Sequence, residues 1–315
     1  MAVDILCMGE PMLEFTQLPP QSDQRVIYLQ GHGGDTSNAA IAAARQGARS
    51  GYVTAIGQDA AGDSFMALWA EEGVDTTTVI RSAEAPTAVY FVTHDSQGHH
   101  FTFYRAGSAA SRYGPRDVPE EAIARARVLY ASGISQAIST TAADAVFHAI
   151  DIARRNGVLV AYDTNLRLRL WPAPRARAVI DAAIRSADMA FPSREDAEAL
   201  TGLSDPDAIA DYYLRLGCPL VAVKCGADGA LLATASGLRV RALAHAVAAV
   251  DATGAGDTFS GAFLARLVFG DGPEAALAYA NAAAALSTTG YGAVAPIPRP
   301  EAVRALLTAR ATARA

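Results

Sequence analysis

The clearest guide to the fold is the stretch VLYASGISQAISTTAADAVFHAIDIARRNGVLVAYD, which runs from Val128 to Asp163. It opens with a short apolar run, Val128–Ser132, continues with a helical pattern from Thr140, and closes with a second apolar run, Val158–Asp163. Two buried strands joined by a helix are typical of a crossover between parallel neighbours. The stretch therefore predicts an α/β fold with a mostly parallel central sheet.

The same alternation of strands and helices continues on both sides of this stretch, which indicates a sheet covered by helices on both faces. The additional predicted strands are Ala2–Gly9, Tyr52–Ile56, Asp188–Pro192 and Leu220–Lys224, and the additional helices are Asn38–Gln46, Ala60–Glu72, one from Pro174 and one from Ser193. Ligands of such sheets bind outside the carboxyl ends of the strands. We therefore expect Gly9, Asp163 and Lys224 to lie along one rim.

Two segments interrupt this rhythm. Thr87–Arg105 alternates around the polar turn Asp95–Gly98 and predicts a β-hairpin. Thr16–Gln30 contains Pro19-Pro20 and a short strand candidate, Val26–Leu29. Together they predict a small antiparallel sheet outside the main one, although a decorative surface hairpin fits the same residues.

The composition narrows the class of protein. The 315 residues are 51% apolar and 18% charged with a net charge of −6, which describes an ordered globular chain and argues against nucleic acid or anionic membrane as the main partner. The cysteines, Cys7, Cys218 and Cys225, lack metal-type spacing and are expected to be buried thiols. No targeting segment or run of 18 apolar residues is present, so we expect a cytoplasmic protein.

The chemistry is concentrated in the stretch VDATGAGD, residues 250–257, which precedes a helical pattern at Thr258–Phe269. Small residues at a helix start leave backbone N–H groups free to bind an anion, as phosphoryl transfer requires. Asp257 in the first turn can accept the proton of an attacking hydroxyl. A plain helix start, capped by Thr253 with an acid at its dipole end, fits the same residues.

A resemblance separates these two interpretations. The Asp-x-Thr-Gly-Ala-Gly-Asp sequence at 251–257 resembles the C-terminal signature of the ribokinase-like (PfkB) carbohydrate kinases, and Gly33–Asn38 matches their Gly-Gly-x-x-x-Asn signature. The similarity extends from Gly9 to Gly290. It implies a three-layer α/β domain with a small β-sheet lid, and an ATP-dependent sugar kinase. Its implied catalytic residues are Asp257 as the base and Gly254, Ala255 and Gly256 as the anion hole.

The resemblance also implies a division of the chain. The main domain would comprise residues 1–15, 31–86 and 106–315, and the lid residues 16–30 and 87–105. A lid of this kind closes over the sugar and excludes water from the transferred phosphoryl group. The exposed faces of such lids pair between subunits, which implies a homodimer or a higher homo-oligomer.

Within the family, several stretches are similar to the branch that phosphorylates 2-keto-3-deoxygluconate, a sugar acid. They are Gly9–Phe15, Tyr104–Ser111, Ser132–Ser135, Asp163–Arg167 and Leu170-Trp171. Arg105 and Arg167 could pair with the carboxylate of such a sugar, although each could equally be an ordinary salt-bridge partner. The implied substrate-binding residues are Gly34, Asn38, Tyr90, Tyr104, Arg105, Ile134, Arg167 and Asp257. Glu14 could contact a hydroxyl or lie on the solvent side, and Asp163 and Asn165 are expected to shape a loop.

For the nucleotide, Lys224-Cys225-Gly226-Ala227-Asp228-Gly229 resembles the family's Lys-x-Gly-x-x-Gly turn, with a plain turn as the alternative. The implied nucleotide-binding residues are Ser193, Lys224, Gly226, Gly229, Gly254, Gly256 and Asn281. Asn281 shares a helix face with Ala284 and Ser287, which also suits simple packing.

The metal is less well specified. The family's Asn-x-x-Glu is replaced here by Ser193 and Asp196. Mg²⁺ is expected to bind through the ATP phosphates and waters, with Asp196 a candidate contact. Whether a monovalent cation binds near Asp251 is left open by the sequence.

Three alternatives to the sugar-acid kinase differ in substrate or class. The first keeps the fold and changes the substrate to fructose, ribose or a related keto sugar. The second is a non-catalytic sugar sensor, which is disfavoured because Asp257 and the glycine turn are intact. A dinucleotide oxidoreductase is disfavoured because no Gly-x-Gly-x-x-Gly follows the first strand.

Overall fold

A computed structural model describes residues 3–18, 25–95 and 98–314 of the chain. Pro19-Pro20 and the turn residues Ser96 and Gln97 lie outside the described residues. Within these ranges the strands are β1 Ile5–Met8, β2 Met12–Gln17, β3 Tyr28–Gly33, β4 Ser50–Gly57, β5 Val79–Ser82, β6 Ala88–Asp95, β7 Gly98–Tyr104, β8 Val128–Ser132, β9 Leu159–Asp163, β10 Met189–Phe191, β11 Leu220–Lys224, β12 Ala230–Thr234 and β13 Arg239–Ala242.

The α-helices of the described residues alternate with these strands. They are α1 Asp35–Arg45, α2 Ala60–Glu72, α3 Ala109–Arg112, α4 Glu120–Arg125, α5 Gly133–Ala137, α6 Thr140–Arg155, α7 Ala173–Ile184, α8 Arg194–Thr201, α9 Pro206–Arg215, α10 Ala255–Val268, α11 Pro273–Ser287 and α12 Pro300–Arg314. No helix in this part of the chain combines the length and apolar character of a membrane span.

The predicted parallel sheet is confirmed. Nine described strands form one sheet in the order β13-β12-β11-β10-β9-β8-β1-β4-β5. Only the pairs β11-β12 and β12-β13 are antiparallel; every other pair is parallel. The carboxyl ends of β1, β9 and β11 therefore meet at one edge, where Gly9, Asp163 and Lys224 lie.

Helices cover both faces of this sheet, which makes three layers. The alternation of β1 illustrates the division, because Leu6 and Met8 join a core with α4–α9 whereas Ile5 and Cys7 join a core with α1, α2 and α10–α12. Within this second layer α10 packs closely on α1, since a Cβ added to Gly261 would lie 2.3 Å from the carbonyl oxygen of Ala39. All three cysteines are free and buried, as expected.

The small sheet exists, but several details of its prediction were wrong. Its order is β3-β2-β6-β7, and β2 pairs in parallel with β6, so the sheet is mixed rather than antiparallel. Strand β2 was not predicted, and β3 begins later than the strand candidate Val26–Leu29. The strands start at Met12 and reach Gly33, beyond the predicted segment 16–30. The role of this sheet as a lid, and the division of the chain into domains, stay predictions.

Candidate active site

The candidate catalytic helix, α10, begins at a glycine. Gly254 is its N-cap, with a left-handed φ of 75°, and no side chain caps the helix. The hydroxyl of Thr253 instead donates to Asp251 Oδ1 over 2.6 Å, so a helix start capped by Thr253 is wrong. An alanine at Gly254 would place its Cβ 2.9 Å from the carbonyl oxygen of Ala293. Only a residue without a side chain fits this turn.

The N-terminal amides of α10 are those predicted to bind an anion. The N–H of Thr258 makes the first helical bond, to the carbonyl of Gly254 (2.8 Å), so the N–H groups of Gly256 and Asp257 precede it and point out of the helix end. The amide of Ala255 donates to the carbonyl of Ala252 at 3.1 Å. The predicted anion hole would therefore rest mainly on the amides of Gly256 and Asp257, and Ala255 would contribute only its small size.

Asp257 lies partly exposed in the first turn of α10. Its Oδ2 accepts a hydrogen bond from Nδ2 of Asn38, 2.8 Å away on α1. Burial and, after it, the Asp35 carboxyl raise the pKa of Asp257 to about 7, and the hydrogen bond from Asn38 opposes both effects. A carboxylate with a pKa near neutrality is well matched to the task of a general base.

Asp163, at the end of β9, accepts several hydrogen bonds at the carboxyl edge of the large sheet. Its Oδ2 accepts from Nζ of Lys224 at 2.6 Å, from the hydroxyl of Ser260 at 3.0 Å and from that of Tyr130 at 3.2 Å. The carboxylate is wholly buried. Lys224 also lies beside the helix end, since a Cβ on Gly256 would be 3.3 Å from its Nζ. This pair brings a cation to the place where phosphate charge would accumulate.

Asp35, one turn before Asn38 on α1, was not among the predicted site residues. Its side chain is buried, and Oδ2 accepts from Nδ2 of Asn165 at 2.9 Å. Burial raises the pKa of Asp35 above its ordinary range. Gly34, the N-cap of α1, has a φ of 114° and fits against the carbonyl of Glu10, which a Cβ would approach to 2.6 Å. The Gly-Gly-Asp segment thus places a second carboxyl close enough to Asp257 to raise its pKa.

The small sheet contributes Tyr90 and its partners. Tyr90 is buried, and its hydroxyl donates to Glu14, which faces it across the β2–β6 register. Glu14 also accepts from the hydroxyl of Thr16 at 2.7 Å. The aromatic ring stacks on Phe103 with centroids 5.5 Å apart. Glu14 therefore orients Tyr90 rather than facing solvent.

The two arginines predicted to meet a substrate carboxylate differ in their surroundings. Arg105 forms an ion pair with Glu10, whose side chain is fully buried and also accepts from the hydroxyl of Ser108 at 2.9 Å. Arg167 is exposed, donates to the carbonyl of Leu166 at 2.8 Å, and lowers the pKa of nearby Asp35. In the described part of the chain no carboxylate pairs with Arg167. The salt-bridge alternative thus describes Arg105, and Arg167 is the more available cation.

The other predicted sugar contacts sit at the edge of this cluster. Ile134 is buried at the start of α5, next to Ser132, which caps that helix. Tyr104 is 63% exposed at the end of β7 and meets the ring of Phe91 edge-on, with centroids 5.9 Å apart. No contact joins Tyr104 to the carboxylates described above, so its role in sugar binding stays a prediction.

The predicted nucleotide residues outside the start of α10 lie in a turn, at the start of α8 and on α11. Gly226 and Gly229 bound a short 3-10 turn between β11 and β12, with φ of 57° and 91°. Ser193 caps α8 by accepting from the amide of Asp196 at 3.0 Å. Asn281 is buried and donates to the carbonyl of Leu243 at 2.9 Å. Contact of these residues with a nucleotide stays a prediction.

Asp196, the candidate metal contact, binds the loop that follows β9. Its Oδ2 accepts from the hydroxyl of Thr164 at 2.9 Å and from the amide of Leu166 at 3.1 Å, and burial raises its pKa. Among the described residues no group of three or more His, Cys, Asp or Glu side chains is arranged to hold a metal. The residues present thus fit Mg²⁺ bound chiefly by phosphates and waters, with the remaining Asp196 oxygen as a candidate.

A three-layer α/β fold that brings a carboxylate, free helix-end amides and a lysine together is typical of a sugar kinase. The model of the pfkB family of carbohydrate kinases matches residues 4–300, and the chain belongs to this family. The chain is 31% identical to a PfkB protein of Polaromonas sp. JS666, whose crystal structure superposes with a TM-score of 0.86 over 96% of this chain and 100% of that one.

Curated relatives differ in their sugars. A 2-dehydro-3-deoxygluconokinase of Thermoproteus tenax is 34% identical over 98% of this chain and 95% of its own length. The 2-dehydro-3-deoxygluconokinase of Bacillus subtilis is 32% identical over 99% of this chain and 98% of its own length. Fructokinase-1 of Oryza sativa is 33% identical, with 93% and 94% covered. The fructokinase of Xylella fastidiosa, solved with bound ATP, has a TM-score of 0.88 at 26% identity, with 98% and 99% covered.

Proposed function

We propose that the chain transfers the γ-phosphate of ATP to the terminal (6-) hydroxyl of 2-keto-3-deoxygluconate, giving 2-keto-3-deoxy-6-phosphogluconate and ADP. The observation that carries the choice of a sugar acid is Arg167, an exposed guanidinium beside the buried Asp35. A cation at a predicted sugar site that forms no salt bridge with a carboxylate in the described ranges of the chain suits a substrate that brings its own carboxylate. Similarity to the two 2-dehydro-3-deoxygluconokinases supports the same choice.

The residues of the cleft would divide the reaction as follows. Asp257 accepts the proton as the sugar oxygen bonds to the γ-phosphorus, and the bond from that phosphorus to the ADP oxygen breaks. The amides at Gly256 and Asp257, with Lys224 beside them, would stabilise the charge on the transferred oxygens. A pKa of about 7 lets Asp257 be ionised at neutral pH while still attracting a proton. The Gly34 turn and Asn38 would hold the sugar against this base.

The proposed cofactors are ATP and Mg²⁺. An Escherichia coli protein described as a ribokinase II was solved in complex with both, and it superposes on this chain with a TM-score of 0.88 at 26% identity. When bound, Mg²⁺ would neutralise the phosphate charge of ATP. Binding of the nucleotide at Lys224, Gly226, Gly229 and Asn281, a monovalent cation near Asp251, and a cytoplasmic location remain part of the proposal.

A homodimer through the small sheet is also proposed. Several large apolar side chains of that sheet are exposed, among them Leu29 at 59%, Phe101 at 45% and Phe103 at 40%. An exposed apolar patch of this kind is a common feature of a subunit interface. Pairing of two small sheets would remove these side chains from water.

Arg167→Ala tests the sugar-acid proposal. It should lower kcat/KM for 2-keto-3-deoxygluconate roughly 10- to 100-fold, as expected for loss of a hydrogen bond between charged groups. Activity on fructose or ribose, where detectable, should hardly change. Steady-state assays of a panel of sugars with ATP would measure both, and Arg169→Ala, an exposed arginine of the same loop, is the matched control.

Two results would contradict the sugar-acid proposal. One is preference of the wild-type chain for a sugar without a carboxylate; the other is equal loss on acidic and neutral sugars after Arg167→Ala. A fructokinase is the second candidate, because the Oryza sativa relative is 33% identical over nearly the same length. Arg105→Ala is a weaker test, since it would leave the buried Glu10 without its cation and destabilise the fold.

A further inference from the structure

The loop that follows α11 is held by the last residue of α1. Residues 292–298 form neither helix nor strand, so their backbone carbonyls need partners outside regular structure. Arg45, at the end of α1, supplies such a partner. Its Nη1 lies 2.9 Å from the carbonyl oxygen of Val294, 3.3 Å from that of Ala295 and 2.6 Å from that of Ile297. One guanidinium nitrogen thus binds three carbonyl oxygens of a single irregular loop.

A carboxylate fixes the orientation of this guanidinium. Nε and Nη2 of Arg45 donate to the two oxygens of Glu72, at the end of α2, over 2.9 and 2.6 Å. The side chains of the two residues are only 10% and 6% exposed, so this bidentate pair is shielded from solvent. Because Glu72 engages Nε and Nη2, Nη1 is the nitrogen that faces the loop.

The end of the loop is attached to the same place. Gln46, directly after α1, donates from Nε2 to the carbonyl of Pro298 at 2.8 Å, and its Oε1 accepts from the hydroxyl of Tyr279 at 2.7 Å. Arg299 adds a bond to Glu72 at 3.3 Å. The carboxyl end of α1 therefore anchors the loop over several residues.

The other side of the loop lies against the turn that begins α10. The amide of Gly292 donates to Oδ2 of Asp251 at 2.9 Å. Ala293 packs on Gly254, since a Cβ added there would lie 2.9 Å from the Ala293 carbonyl oxygen and 3.0 Å from its Cα. A shift of the loop would therefore displace the turn from which the free helix-end amides project.

We infer that Arg45 is a positioning residue for phosphoryl transfer: by binding residues 294–297 it holds the 292–298 loop against Gly254 and so fixes the direction of the helix-end amides of α10. Val294 and Ile297 also pack in the core, but apolar contacts are not directional. Helix α1 then supports the first turn of α10 twice, through Asn38 directly and through Arg45 by way of the loop. The role of those amides is taken from the proposed function, on which this inference rests.

Arg45→Met tests this role, because it removes the guanidinium and keeps an apolar stem. It should lower kcat about 10- to 100-fold, since small displacements of positioning groups are costly, and leave the KM for the sugar nearly unchanged. Arg45→Lys keeps a charged donor beside Glu72 and should recover part of the loss. Hydrogen exchange should become about tenfold faster in peptides covering residues 251–257 and 288–297 of Arg45→Met, and stay unchanged elsewhere.

Arg49→Met is the matched control. Arg49 also forms a bidentate pair, with Asp4 over 2.9 and 2.7 Å, but before the starts of β1 and β4. Its replacement should lower the melting temperature without changing kcat or the exchange at residues 251–257. Equal loss of kcat in Arg45→Met and Arg49→Met would make Arg45 merely structural. Unchanged exchange at residues 251–257 in Arg45→Met would show that the loop does not hold the turn. Either result overturns the inference.

A double variant tests whether Arg45 and Gly254 act on the same turn. Arg45→Met combined with Gly254→Ala should lower kcat by less than the product of the two separate losses, because the second change meets a turn that is already displaced. Fully multiplicative losses would contradict the inference. If the chain phosphorylates a different sugar, the same kinetics are measured with that sugar. If it phosphorylates none, the proposed function fails, and hydrogen exchange alone decides whether Arg45 holds the turn.

Discussion

Helices α1 and α10 begin in the same way, but the surroundings of their first turns differ. Each has a glycine N-cap with positive φ, no side-chain cap, and an aspartate in its first turn. At α1 the aspartate, Asp35, is buried and bonded by Asn165. At α10 the aspartate, Asp257, is partly exposed beside free helix-end amides and Lys224. The open start suits phosphoryl transfer, and the closed start suits recognition of hydroxyls.

Replacing the acid of the open helix should have the largest effect. Asp257→Asn should lower kcat about 10²- to 10⁴-fold, because an amide cannot take the proton of the attacking hydroxyl. Binding of the sugar should be largely retained, since the hydrogen bond to Asn38 can be replaced by amide pairing. Steady-state kinetics together with calorimetric binding of the sugar would measure the two effects separately. Near-normal turnover in this variant would show that another group is the base.

Replacing the cap glycines should separate the two helix starts. Gly254→Ala should reduce kcat about 100-fold, because its Cβ would displace the turn that holds the donor amides. Gly34→Ala should raise the KM for the sugar and leave the KM for ATP unchanged, since that turn contacts Glu10. Kinetics with each substrate varied in turn would measure this.

Gly73→Ala is the control for backbone strain in this comparison. Gly73 ends α2 with a φ of 72°, close to that of Gly254, and nothing lies within 4 Å of its added Cβ. It should lower the melting temperature without changing the kinetics, since the strain alone costs about 1–3 kcal/mol. If Gly254→Ala behaved like Gly73→Ala, the turn at α10 would have no role beyond stability.

The pH dependence of turnover should reveal the coupling between the two acids. The pKa of Asp257 is raised to about 7, so below that pH the base is protonated and activity falls. At pH 6, kcat should be about tenfold below its plateau. Asp35→Asn should move this acidic limb to lower pH, because the Asp35 carboxyl raises the pKa of Asp257. A limb that stays in place in this variant would show that the two carboxyls do not interact.

Local patterns predicted much of the fold. The bounds of α2 were right because Asp59 caps its start and Gly73 ends it, both of which are visible in the sequence. The buried strands β8 and β11 were right because each is a continuous apolar run. Strand β13 was missed, since it alternates with exposed arginines at Arg239 and Arg241 and has no apolar run.

The site was predictable only where it coincides with a signature. Asp257 and Asn38 were predicted from their motifs. In the structure Nδ2 of Asn38 lies 2.8 Å from Oδ2 of Asp257, although 219 positions separate the two residues. The pairing of Asp35 with Asn165 and of Glu10 with Arg105 depends on where distant segments meet, which no local pattern specifies. An acidic residue directly after Gly33-Gly34 was the one signal in the sequence for Asp35.

The most direct measurement is a crystal structure of the chain with 2-keto-3-deoxygluconate and a non-hydrolysable ATP analogue. The account predicts the terminal hydroxyl within hydrogen-bond distance of Asp257. It also predicts the sugar carboxylate at Arg167 and the γ-phosphate at the amides of Gly256 and Asp257. A sugar whose terminal hydroxyl lies away from Asp257 would contradict it.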